Sequence, residues 1–198
     1  MDIPEPFLSI IKKHYSAYAL VTSDELSKFF NGCFKELIKT LNITDYQARA
    51  AKTGKIFEYA FYYLVRQKFG FNLANDVSLR KACMCDGGEL DFAVFKKEKP
   101  IAEANLVCGI EAKGSDPDSS ERPALKRTDT MKKAISQAYQ FKRVYPKLPF
   151  FVVSNVLPDS GNSLCMMKLA EGDIVDEFID VTDIKQLQKF VDTIKAYQ

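Results

Sequence analysis

The sequence predicts an α/β protein with a central mixed β-sheet flanked by helices and a helical N-terminal extension. Two observations carry this. Before Gly70 the apolar residues recur at three- and four-residue spacing, as on the buried stripe of a helix. After Gly70 the period shortens into short apolar runs parted by turn residues, and further on strand-like and helix-like runs alternate. Helices are expected over 5–21 and 23–41, the second capped by Thr22 or Ser23 with Glu25 in its first turn. A third helical stretch runs over 44–69, where Gly54 leaves a short helix followed by a longer one as open a reading as one continuous rod. Strands follow at 75–84, 89–95 and 105–113. Their short links, DGG at 86–88 and a polar connection at 96–104, favour an antiparallel meander. A polar loop leads to an amphipathic helix from Asp129 to Tyr145. The run PFFVVSN at 149–155 then reads as a buried parallel strand fed by that helix. The runs SLCMMKL and DIVDEFIDV suggest two more strands, and residues 183–197 a closing helix.

The chain of 198 residues suits one domain. It divides into a helical part (1–52), a core (53–155) and C-terminal strands and helix (156–198). Composition is ordinary for a globular protein, with 46% hydrophobic and 27% charged residues. No apolar run approaches a membrane span and the N-terminus does not read as a secretory signal, so a cytoplasmic protein is expected. The five cysteines (33, 83, 85, 108 and 165) are read as reduced, buried thiols rather than a disulfide framework. A zinc site from Cys83, Cys85, Cys108 and Cys165 is disfavoured, since no C-x-x-C knuckle is present. His14 is the only histidine and reads as an ordinary helix residue, which excludes metal sites built on two or three imidazoles. Chemistry must then run on carboxylates and lysine.

The informative residues lie on the strands. In GIEAKG, Glu111 and Lys113 stand two apart and share one face, while Ile110 and Ala112 turn to the packed interior. In GELDFAVF, Glu89 and Asp91 likewise point together. Paired strands bring Asp91 and Glu111 to one place. Two close carboxylates raise each other's proton affinity unless a cation intervenes, and Mg²⁺ suits few carboxylates plus water and phosphate. Lys113 could steady charge on phosphate oxygens or, if burial lowers its pKa, accept a proton. Glu89 and Gln137 are read as exposed residues of a strand start and a helix. The aromatic group at 57–63 is read as core packed on the sheet.

An acid on one strand and (D/E)-x-K on the next resembles the signature of the PD-(D/E)XK nuclease superfamily. Here it reads GELDF…GIEAKG, with Asp91, Glu111 and Lys113 in the motif positions and Leu90 where the motif's name has proline. Upstream, TGKIFEYAFYYLV resembles the family's first helix, where Glu58 matches an acid that reaches the metal. Downstream, MKKAISQAYQFKRVYP and PFFVVSN resemble the helix and strand that follow the lysine. Over residues 53–155 the resemblance implies a restriction-endonuclease-like α-β-β-β-α-β core. It also implies catalysis by Asp91, Glu111, Lys113 and Glu58, and Mg²⁺ (Mn²⁺ as a substitute) held by Asp91, Glu111 and Glu58.

Charge adds a partner. Between Arg122 and Lys147 eight basic residues face a single acid, Asp129, although the net charge is only +2. Arg49, Lys52 and Lys55 on one side, and Arg122, Lys126, Arg127, Lys132 and Lys133 on the other, are candidates for contact with DNA phosphates. The resemblance implies a Type II restriction endonuclease that acts on double-stranded DNA as a homodimer. A Holliday-junction resolvase or a repair nuclease is the alternative within the superfamily. Outside it stand a non-catalytic nucleic-acid-binding protein with a nuclease-like fold and a structural interaction protein.

Overall fold

A computed structural model describes residues 1–119 and 122–198. Helices α1 (Phe7–Ser16), α2 (Ser23–Thr40) and α3 (Tyr46–Phe69) form the N-terminal layer. A capping box starts α2: the Glu25 amide donates to Thr22 Oγ1 and the Thr22 amide donates to Glu25 Oε2, both at 3.2 Å. Asp45 caps α3 by accepting the Ala48 amide at 2.7 Å, and Gly70, at φ 68°, stops it. Of the two readings open at Gly54 the continuous one holds: α3 is one helix of 24 residues. A mid-helix glycine costs about 1 kcal/mol. Burial of Ile56, Phe57, Ala60, Phe61 and Leu64 on the sheet offsets that several times over.

The sheet has five strands in chain order: β1 (Asn72–Val77), β2 (Leu90–Phe95), β3 (Leu106–Ala112), β4 (Phe150–Ser154) and β5 (Glu177–Asp180). The first three pair antiparallel. β3, β4 and β5 run parallel, joined by crossover helices α4 (Thr128–Val144) and α5 (Gly161–Ala170). Helix α6 (Ile184–Tyr197) closes the fold behind an Asp183 cap that accepts the Lys185 amide at 2.8 Å.

Two expectations fail here. The first strand begins at 72 and ends at 77, and a short 3-10 turn at Arg80–Ala82 occupies what was read as its second half. SLCMMKL is not a strand but most of α5. Its nearly unbroken apolar character lacks the stripe that marks a surface helix, and an apolar run alone does not distinguish helix from strand.

Both faces of the sheet are covered. Phe92, Val94, Ile110, Ala112, Phe151 and Val153 pack on the layer of α1–α3 and α6. Ala93, Phe95, Phe150 and Val152 pack on α4 through Met131, Ala134, Ala138 and Phe141. By alternation Asp91 and Glu111 belong to the α4 side. The face that carries Asp91 and Glu111 is therefore a covered one.

Candidate active site

The register fixes the acids. Phe92 pairs with Ile110, so Asp91 stands across from Glu111 at the ends of β2 and β3. Asp91 Oδ2 accepts the Ala112 amide at 2.8 Å and the Lys113 amine at 3.0 Å, and Lys113 Nζ also bonds Glu111 Oε1. One ammonium thus bridges two carboxylates. Glu58, four residues past Gly54 on α3, lines the same cleft as Lys113, and its carboxylate accepts Lys55 Nζ at 2.7 Å. Lys55 is steadied further by lying 5.2 Å over the Tyr59 ring.

Burial sets the electrostatics. The Glu111 side chain is 1% exposed, and Oε2 has no hydrogen-bond partner among the described residues. Burial first, and the neighbouring Asp91 charge second, push its carboxyl well above the ordinary value. Burial likewise raises Glu58, with Lys55 opposing. At Lys113 burial pulls the amine down, but Glu111 and Asp91 together outweigh it and leave the pKa above its usual value. Of the two roles left open for Lys113, this direction favours the ammonium over the base.

The three acids do not form a tight oxygen cluster. Among the described residues no group of three His, Cys, Asp and Glu side chains is arranged to hold an ion. The Lys113 ammonium sits between Asp91 and Glu111, and Glu58 is engaged by Lys55. The donor set still fits a hard cation on one specific count. A buried carboxylate oxygen without a donor, Glu111 Oε2, is an uncompensated site that a divalent ion would satisfy.

The cleft beside these residues has a volume of about 190 Å³ and runs between the first half of α3 and the segment after β3. Tyr46, Gly54, Glu58, Lys113, Ser115, Arg122 and Arg127 are among its walls. A second hollow of about 410 Å³ shares Arg122 and adds Lys126, Asp159 and the start of α5. Chain closeness demands glycine at 114, where an added Cβ would stand 2.1 Å from the Phe57 ring.

The basic residues divide. Arg122 and Arg127 reach the cleft, Arg127 in an exposed ion pair with Asp129 at 3.0 Å. Lys126 pairs with Asp159 at 2.8 Å on the second hollow. Lys52, Lys132 and Lys133 are exposed. Arg49 is different: its Nε donates to the buried Asp116 at 3.1 Å, so it ties α3 to the loop after β3.

Sequence reasoning missed that loop's anchors. Asn155, at the end of β4, clamps the Ser115 backbone from both sides, donating Nδ2 to its carbonyl at 2.8 Å and accepting its amide at 3.0 Å. Only the hydrophobic run before Asn155 hinted that it lay near the site. Gln137 was read as exposed but is half-buried, with Oε1 shielded and unpartnered among the described residues. Cys83 and Cys165 are exposed rather than buried, while Cys33 and Cys108 are buried as expected. Glu89 accepts the Gly87 amide at 3.1 Å and serves the turn. His14 bonds Glu36 at 2.8 Å and is not among the residues that line the cleft.

Compared with known proteins, the chain matches no family model and no curated protein. No described helix is long and apolar enough to cross a membrane. The reading of the site rests on its geometry.

Proposed function

We propose that the chain is a Mg²⁺-dependent endodeoxyribonuclease with a restriction-endonuclease-like core, and that it acts as a homodimeric, sequence-specific Type II restriction enzyme on double-stranded DNA. The observation that carries the reading is the meeting of Asp91, Glu111 and Lys113 at the ends of adjacent strands, beside a cleft that Glu58 also lines. The element order from α3 to β4, α-β-β-β-α-β, supports it as well.

In this reading Asp91 and Glu111, with Glu58 from the helix, hold the ion. A bound divalent cation supplies positive charge at the phosphodiester and lowers the pKa of the attacking water. The chain's own residues do the rest. Asp91 keeps its orientation through the Ala112 amide, so the strand itself aims the carboxylate. Lys113, held as an ammonium, donates to the phosphate oxygens on which charge gathers, an interaction worth most in a water-poor site. Arg122 and Arg127 on the cleft wall attract the backbone.

Plasmid DNA incubated with the protein and Mg²⁺ tests the reading. Discrete fragments are expected of a restriction enzyme, and a smear would point instead to a repair-type nuclease. Intact DNA that is merely retarded on a gel would overturn hydrolysis and leave a binding protein.

A further inference from the structure

Each acid of the site already holds an ammonium. Lys113 Nζ donates to Asp91 Oδ2 at 3.0 Å and to the Ala112 carbonyl at 3.2 Å, and it pairs with Glu111 Oε1. Lys55 Nζ donates to Glu58 Oε2 at 2.7 Å. Two cations at one carboxylate oxygen repel, so a divalent ion on these acids needs an oxygen that no ammonium occupies. Glu111 offers one: Oε2 has no partner among the described residues, so Lys113 can keep Oε1. At Glu58 the occupied oxygen is the difficulty.

The two lysines differ in freedom. The Lys113 side chain is 21% exposed, and one of its carboxylates is fixed by the Ala112 amide. Lys55 is 42% exposed and has a single carboxylate partner three residues along its own helix. Pairs of this kind are weak. Lys55 also has a second seat. Its amine lies 5.2 Å from the centre of the Tyr59 ring, within the range at which an aromatic face holds a cation. Beyond the ring is Asp76, which lies between the β1 residues that pair with Phe92 and Leu90 and so flanks Asp91 at the same end of the sheet. Burial pulls the Lys55 amine down, but Glu58, then Tyr59 and Asp76, more than restore its charge. Asp76 is exposed and bonded only by the neighbouring Asn75 amide group.

We propose that Lys55 is a positioning residue that guards Glu58: its ammonium neutralises the carboxylate while no ion is bound, and it moves over to Tyr59 and Asp76 when a divalent cation takes Glu58, whereas Lys113 stays in place. The proposal rests on the reading of Glu58, Asp91 and Glu111 as ion ligands. Displacing Lys55 then forms part of the work of binding, and it holds the affinity for the ion down.

Calorimetry of the full chain with Mg²⁺, and crystal structures without and with the ion, test it. Lys55→Met should tighten Mg²⁺ binding about 2–5-fold, the factor that a pair of this exposure is worth. In a Glu58→Gln background the same substitution should change nothing. The crystal with Mg²⁺ should show Lys55 Nζ off Glu58 and Lys113 still on Asp91; if Glu58→Gln binds no ion, the two crystal structures decide. A bound ion beside an intact Lys55–Glu58 pair would overturn the proposal. So would equal Mg²⁺ affinity in wild type and Lys55→Met, or a gain that survives in Glu58→Gln and is therefore bulk charge. Each of these results leaves the ion site standing. Failure of wild type and Lys55→Met alike to bind Mg²⁺ would remove the ion ligands, and this proposal with them. Release of Lys55 on ion binding without plasmid cleavage would keep the proposal and remove the nuclease reading.

Discussion

Gly114 rests on the face of Phe57 so closely that a methyl group there would overlap the ring, its Cβ 2.1 Å from the nearest ring carbon. Helix α3 brings Glu58 and the loop after β3 brings Lys113, so this contact sets the distance between two contributors to the site. Gly114→Ala should destabilise the fold by about 1–3 kcal/mol through overpacking. It should also reduce DNA cleavage by more than that loss explains. Urea unfolding beside plasmid digestion below the transition gives both numbers.

Lys113→Ala removes the ammonium that bridges Asp91 and Glu111. Cleavage should fall by roughly 10²–10³-fold or more, on the scale of losing one preorganised donor. Affinity for DNA in a Mg²⁺-free gel shift should change little. Persistent cutting would remove the lysine from the mechanism.

Asp91→Asn keeps an acceptor for the Ala112 amide and deletes a charge. The strand ends should stay in place, while Mg²⁺ affinity and hydrolysis fall together, each by roughly 10–100-fold. Calorimetry with Mg²⁺ and the plasmid assay measure the two effects separately. A fully active variant would move the ion elsewhere.

Burial, and then Asp91, push the Glu111 carboxyl up to about 8, so the folded chain keeps a proton that the unfolded chain releases near 4.5. This group's contribution to stability is greatest below 4.5, declines as pH climbs to about 8, and is level above that. Glu111→Gln should therefore gain stability relative to wild type across that window, read as the difference in Tm at matched pH. Mg²⁺ has to displace the same proton, so its apparent affinity for wild type should rise over the same range.

Arg49 and Lys132 should behave oppositely although both are basic and were read as DNA contacts. Arg49→Ala leaves the buried Asp116 carboxylate unpaired, a loss of about 2–3 kcal/mol, below the range for fully buried pairs because the guanidinium is one-third exposed. Lys132→Ala should leave Tm unchanged and lower the slope of log affinity against log salt by about 1.

Much of the fold was legible in the sequence where period and turn chemistry agreed. The Thr22–Glu25 pair announced α2, and the change of period after Gly70 announced the sheet. The parallel strand β4 was readable because FFVV is apolar on both faces, as a covered strand must be. Gly54 left helix α3 undecided because propensity is local and the packing that overrides it is not. Leu164 to Leu169 misled because α5 is apolar nearly all round and yet only Ser163 and Ala170 are buried. At the site, Asp91, Glu111 and Lys113 could be brought together from strand alternation alone. The protonated state of Lys113 could not, since it depends on Glu111 and Asp91 together outweighing the burial that opposes its charge. Asn155 and Ser115 meet 40 residues apart through a parallel pairing that no short motif encodes.

The sheet's two rims carry a last consequence. β5 is four residues long and bounded by Glu177 and Asp180, with Lys189 leaning across to Glu177 at 2.6 Å. β1 carries Asn75 and Asp76 just before its last residue, Val77, with Asp76 in the left-handed region at φ 47°. Short, charged and bent margins resist the addition of a sixth strand. Joining two copies of this chain edge to edge into one continuous ribbon is thus opposed at both margins.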